Sequence, residues 1–174
     1  SQSAVTSDSD VGVAVTFATN RETLTRLPVA GVEVDEGIAL ISTDGSVSID
    51  NYCSVSGVPG VAIIPAGLWE MQGYFWDNAG GGDTTTAKFT LRTITAAGVI
   101  TEHGPSSTAT ITAKSNAAAT KLTMQLVIGA DIAIATTDRV IIRVQFNAND
   151  TTSRTAHFIY QGTTRPAFID TTFN

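Results

Sequence analysis

From Leu68 to Trp76 the chain alternates strictly between two kinds of position. Trp69, Met71, Gly73 and Phe75 share one face; Leu68, Glu70, Gln72, Tyr74 and Trp76 share the other. A repeat of two is what a half-buried strand requires, because successive side chains point to opposite faces. The same period recurs in Phe89, Leu91 and Thr93 against Lys88, Thr90 and Arg92. It recurs in Val140, Ile142, Val144 and Phe146 against Ile141, Arg143 and Gln145. Thr120–Ile128 sets Leu122, Met124, Leu126 and Ile128 against Thr123, Gln125 and Val127, and His157 and Ile159 alternate with Phe158 and Tyr160. Each of these stretches is predicted to be a strand.

Turn residues separate them. Thr43-Asp44-Gly45-Ser46 predicts a hairpin turn between strands at 38–42 and 47–51. Ala96-Ala97-Gly98 predicts a second hairpin, and Asn147-Ala148-Asn149-Asp150 a third, between 140–146 and 154–160. Asn78-Ala79-Gly80-Gly81-Gly82-Asp83 reads as a flexible loop between two strands, and Gly57–Gly60 and Pro65-Ala66-Gly67 punctuate the middle. Asn116–Thr120 offers one helical turn. About eight to ten short strands with turns every 8–12 residues predict an all-β fold, an antiparallel β-sandwich of jelly-roll-like form. The βα alternation of a parallel sheet is missing. Residues 1–25 are polar and Ser-rich and are expected to form an N-terminal arm; 26–174 are expected to be the sandwich domain. The tail 163–174 is expected to dock a terminal strand through Phe168, Ile169 or Phe173.

Composition agrees with this picture. The chain has 27 threonines in 174 residues, and β-branched side chains fit a pleated surface better than a helix. Only 15% of residues are charged, against about 25% in a typical soluble domain. Ten basic and 16 acidic residues give a net charge of −6, which disfavours a phosphate-backbone binder; no nucleic-acid partner is expected. No apolar run approaches the roughly 18 residues of a membrane span, so no membrane insertion is expected. The single cysteine, Cys53, excludes an intrachain disulfide and reads as a buried apolar residue. The sequence opens Ser1-Gln2-Ser3, without Met or a leader pattern, as an excised or processed domain does. The sequon Asn149-Asp150-Thr151 matters only in a eukaryotic secretory pathway.

Catalytic signals are sparse. The two histidines, His103 and His157, lack metal-ligand spacing and read as core or interface residues making one hydrogen bond. No Gly-x-Ser-x-Gly elbow supports a nucleophile, and Gly80-Gly81-Gly82 lacks the Gly-Lys-Ser/Thr of a phosphate loop. Glu70 reads as a solvated edge residue, and Asp8-Ser9-Asp10 and Asp77…Asp83 as solvated turns rather than calcium loops. No catalytic residue, metal or cofactor is expected. The most suggestive cluster is Tyr74, Trp76, Asp77 and Asn78, where a strand enters the Gly-rich loop. Aromatic faces stack on sugars while Asp and Asn take hydroxyl hydrogen bonds; the competing reading is that Trp76 packs the second face of the sheet or an oligomer interface.

Three segments carry a resemblance. Val58-Pro59-Gly60-Val61 with Ile64-Pro65-Ala66-Gly67-Leu68-Trp69 resembles an entry segment of bacteriophage tail and fibre proteins. Thr137-Asp138-Arg139-Val140-Ile141-Ile142-Arg143-Val144 is similar to a strand of the same proteins, and Tyr160-Gln161-Gly162-Thr163-Thr164-Arg165-Pro166 resembles their closing segment. The three occur in that order over roughly residues 55–172, leaving 1–54 outside. Such domains look like jelly rolls of the C1q/TNF type, whose core signature Gly73-Tyr74-Phe75 loosely echoes. The resemblance implies a homotrimeric, non-enzymatic virion structural protein (a tail or head fibre or a capsid decoration domain), with other virion proteins and a host cell-surface glycan as partners. The alternative expectation is a carbohydrate-binding module or adhesin domain of a bacterial surface protein or enzyme; a hydrolase of the sandwich class ranks last.

Overall fold

The protein is described by a computed structural model over residues 2–4, 32–40, 45–54, 60–80, 83–149, 151–160 and 164–172. Most of the expected N-terminal arm, the Asp8 and Asp10 pair, Asp44, Pro59, Gly81, Gly82 and Gln161–Thr163 lie outside the described residues. The strands are β1 (Gln2–Ala4), β2 (Val34–Leu40), β3 (Val47–Cys53), β4 (Ile63–Ile64), β5 (Gly67–Asp77), β6 (Thr85–Ile94) and β7 (Ile100–Pro105). They continue with β8 (Ala109–Ile111), β9 (Thr120–Ile128), β10 (Ile132–Ala133), β11 (Arg139–Ala148), β12 (Arg154–Tyr160) and β13 (Phe168–Asp170). Asn116–Ala118 forms a single 3₁₀ turn, where one helical turn was expected.

These strands make an antiparallel β-sandwich. In the first sheet β5 is central: β9 runs along one side of it, and β12 and β13 share the other, with β2 outside β12 and β1 outside β13. In the second sheet the order is β3-β11-β6-β7, with β8 also on β6. Taking the eight longer strands in chain order, the pairing nests. β2 pairs β12, β3 pairs β11, β5 pairs β9 and β6 pairs β7. That is one long hairpin folded over on itself.

The alternation read from the sequence decides which face is buried. Along β5, Trp69, Met71, Gly73, Phe75 and Asp77 are buried while the residues between them stay half-exposed. They meet Phe89 and Leu91 of β6, Met124 and Leu126 of β9, Ile142, Val144 and Phe146 of β11, and Phe158 of β12 in one core. Gly73 is required there, because a Cβ would lie 2.5 Å from the Phe158 ring. A second, smaller apolar cluster of Cys53, Ile94 and Ile141 lies on the opposite face of the second sheet, and its signal is the adjacent pair Ile141-Ile142.

Two predicted hairpins are corrected. β2 belongs to the first sheet and β3 to the second, and β11 belongs to the second and β12 to the first, so neither pair forms a hairpin. The Ala96-Ala97-Gly98 hairpin does join neighbours, β6 and β7, with Gly98 at φ 85°. Glu70 is likewise not at an edge, since β5 is flanked on both sides. The terminal strand docks as expected: β13 pairs β5, and β1 pairs β13.

Candidate functional site

The four residues singled out from the sequence fall into two environments. Tyr74 and Trp76 stand half-exposed on the outer face of the first sheet. Asp77, one residue on, points the other way and is fully buried. Its Oδ1 accepts hydrogen bonds from Lys114 Nζ at 2.8 Å and from Ala79 N at 3.2 Å. Exposed Asn78 works on backbone: its Oδ1 accepts from Thr155 N at 2.7 Å, and its own N–H donates to Thr155 O. Asp77 and Asn78 therefore secure the strand end and leave the outer face to the aromatics.

What joins Trp76 on that face comes from elsewhere in the chain. Trp76 and His157 are register partners on β5 and β12, and their rings stack 3.6 Å apart at 14°. Gly37 of β2 is the next residue across from His157, and a Cβ there would lie 2.6 Å from the imidazole. The glycine gives the ring room to lie over β2. Asp35 holds both rings: its carboxylate accepts Trp76 Nε1–H at 3.1 Å and His157 Nδ1–H at 3.0 Å. Asn116 Nδ2 donates to the same carboxylate at 2.5 Å. Because a carboxylate only accepts, Nδ1 of His157 carries the proton in this contact.

Arg165 braces this cluster. It donates to both oxygens of Glu33, at 2.7 Å in the closest contact, and to the Asn116 carbonyl and side-chain oxygens at 2.7 and 2.9 Å. The Arg165 hydrogen bond holds the Glu33 carboxyl below its ordinary value, and the same bond raises Arg165. A carboxyl lowered by folding contributes stability above its unfolded value near 4.5. That contribution fades as pH falls below this value toward the folded one. The contact is partly exposed, so its size is limited to about 1 kcal/mol or less. Arg165→Gln is expected to remove this part of the acid-side slope in urea unfolding measured between pH 3 and 6; an unchanged slope would show that the pair does not report on folding.

Further along the face, Glu70 accepts from Gln72 at 2.6 Å and Gln125 at 2.9 Å, which lower its carboxyl, and Lys121 Nζ sits 5.4 Å from the centroid of the Phe168 ring. The outer face thus carries aromatic rings among fixed amide, carboxylate and cationic groups. Among the described residues, no group of three or more His, Cys, Asp or Glu is placed to hold a metal ion. His103 is apart from all this; it is hydrogen-bonded to Thr93 Oγ1 at 2.8 Å, and burial lowers its pKa.

No known protein family's sequence description matches the chain, and no curated protein matches it. Among solved structures it is similar to a CocE/NonD family hydrolase from Staphylococcus aureus, with 11% identity and a TM-score of 0.47. The similarity covers 84% of this chain and 34% of the hydrolase, so the chain spans about a third of that enzyme's length. A likeness of that depth carries no argument about activity.

Proposed function

We propose that this chain is a non-enzymatic structural and recognition module of a bacteriophage particle, working as a homotrimer beside other virion proteins and contacting a host-surface glycan. The observation that carries this reading is the outer face of the first sheet. At one end it presents the Trp76–His157 stack, pinned by Asp35. At the other, Leu68 and Val127 are register partners with 48% and 73% of their surfaces exposed. Exposed apolar neighbours at the rim of a sheet favour contact with another chain. Beside them β9 pairs only β5 among the described residues, and its rim is closed at one point, where Ser107 N donates to Gln125 O at 2.7 Å. The resemblance to phage fibre segments supports placing such a module in a virion. Weak single contacts on three copies would then add through avidity.

Light scattering tests the assembly half. A mass of three times 18.1 kDa is expected, falling to the single-chain mass in Val127→Lys with the far-ultraviolet spectrum unchanged. A strict monomer at high concentration would remove the virion reading and favour the second one, a monomeric carbohydrate-binding module on a bacterial surface protein or enzyme. That second reading draws on the same Tyr74 and Trp76 face.

A further inference from the structure

The outer face of the second sheet gathers cations although the chain as a whole is acidic. Arg143 of β11 is the register partner of Thr90 on β6, and Arg92 and Lys88 lie two residues to either side of Thr90. All three long side chains therefore project from one face, with Arg143 between the other two. Their partners are unequal. Arg92 is forked onto Glu102, at 3.2 and 2.8 Å. Arg143 Nε donates to Ser48 Oγ, and among the described residues Arg143 forms no ion pair. Lys88 forms none either. Gln145, the register partner of Lys88, is only 6% exposed, and its Oε1 already accepts Thr90 Oγ1–H at 2.7 Å. Its amide nitrogen has no hydrogen-bond partner among the described residues.

The groups left over are thus all donors: a half-buried guanidinium, an ammonium and an amide. Burial and the neighbouring charge of Arg92 lower the Arg143 pKa against the opposing pull of Glu102, and Glu102 makes its ion pair with Arg92 rather than with Arg143. We infer that Arg143, Lys88 and the Gln145 amide, with Arg92 at the margin, form a binding site for a phosphate- or sulfate-type oxyanion. Such a group offers several acceptor oxygens, and a guanidinium can take two of them in parallel. This site lies on the sheet opposite the Trp76 face and stands independently of the function proposed for that face.

Calorimetric titration of the whole chain with inorganic pyrophosphate, at fixed ionic strength, tests it. Saturable binding is expected, weakened about tenfold or more in Arg143→Gln and several-fold in Lys88→Gln. Glu102→Gln is expected to tighten binding, because it releases Arg92 from a competing carboxylate; a merely structural cluster would not respond in that direction. Lys121→Gln, on the other sheet, is expected to leave the affinity unchanged. Dextran sulfate is the second titrant. Displacement of pyrophosphate by the polymer assigns the ligand to anionic substituents of a chain, whereas binding of pyrophosphate alone assigns a free oxyanion. Should Arg143→Gln fail to fold, Lys88→Gln decides, since Lys88 forms no ion pair among the described residues. Absence of saturable pyrophosphate binding, or equal affinity in the wild type and Lys88→Gln, overturns the site.

Discussion

Lys114→Met is expected to destabilise the fold by about 3–5 kcal/mol at neutral pH, read as a lowered midpoint in urea. The reason is the position of Asp77. Its carboxylate is fully buried at the end of β5, with Lys114 on Oδ1 and with Oδ2 lacking a hydrogen-bond partner among the described residues. Methionine keeps the length of the lysine stem but removes the charge, so the carboxylate remains buried without its cation. The opposite truncation is gentler: Lys114 is 42% exposed, so in Asp77→Ala the ammonium can turn to water. The double variant Lys114→Met/Asp77→Leu is therefore expected to recover much of the loss, because neither charge remains. Equal midpoints for Lys114→Met and the wild type would show that the pair contributes nothing to folding.

Phe158→Ala is expected to cost about 3–5 kcal/mol for a different reason. Phe158 is fully buried and meets three rings: Phe75 stacked at 4.9 Å, Tyr160 at 5.6 Å, and the edge of Tyr52 at 5.8 Å. These rings come from both sheets, and removal of the one they share opens a cavity between the layers. The glycine that admits Phe158 offers a complementary check. Gly73→Ala places a Cβ against the Phe158 ring and is expected to destabilise by about 1–3 kcal/mol through overpacking. Combined with Phe158→Ala it is expected to cost less than the sum, since the clash is gone. Strict additivity in thermal or urea unfolding would argue against the contact.

Much of the fold was legible in residue parity. The faces of β5 and β9, the single helical turn near Asn116 and the docking of the terminal strand all followed from period-two patterning and turn chemistry. The partition into sheets did not. Thr43–Ser46 and Asn147–Asp150 carry the same Asp, Asn and Gly residues that close a hairpin, but the strands on either side of each belong to different sheets. A short polar turn has the same chemistry in either role; only the pairing of distant strands separates the two. The site was half legible. Tyr74 and Trp76 stood out as aromatics on a polar face, and the same alternation assigns Asp77 to the buried face with Phe75. The partners of Trp76 were hidden, because Asp35 lies 41 residues away from it, and Asn116 and His157 lie 81 and 122 residues from Asp35. In sequence each is one polar residue among many. The nested pairing of β2, β5 and β12 is what brings them to one face.

The claim on which the account depends most is that this face recognises a ligand by stacking on Trp76. A glycan array probed with the whole chain and with Trp76→Ala measures it directly. Binding of the wild type to a restricted set of glycans, weakened about tenfold or more in Trp76→Ala while the unfolding midpoint moves little, is the predicted result. Binding to no glycan at all, or identical profiles for the two proteins, would contradict it.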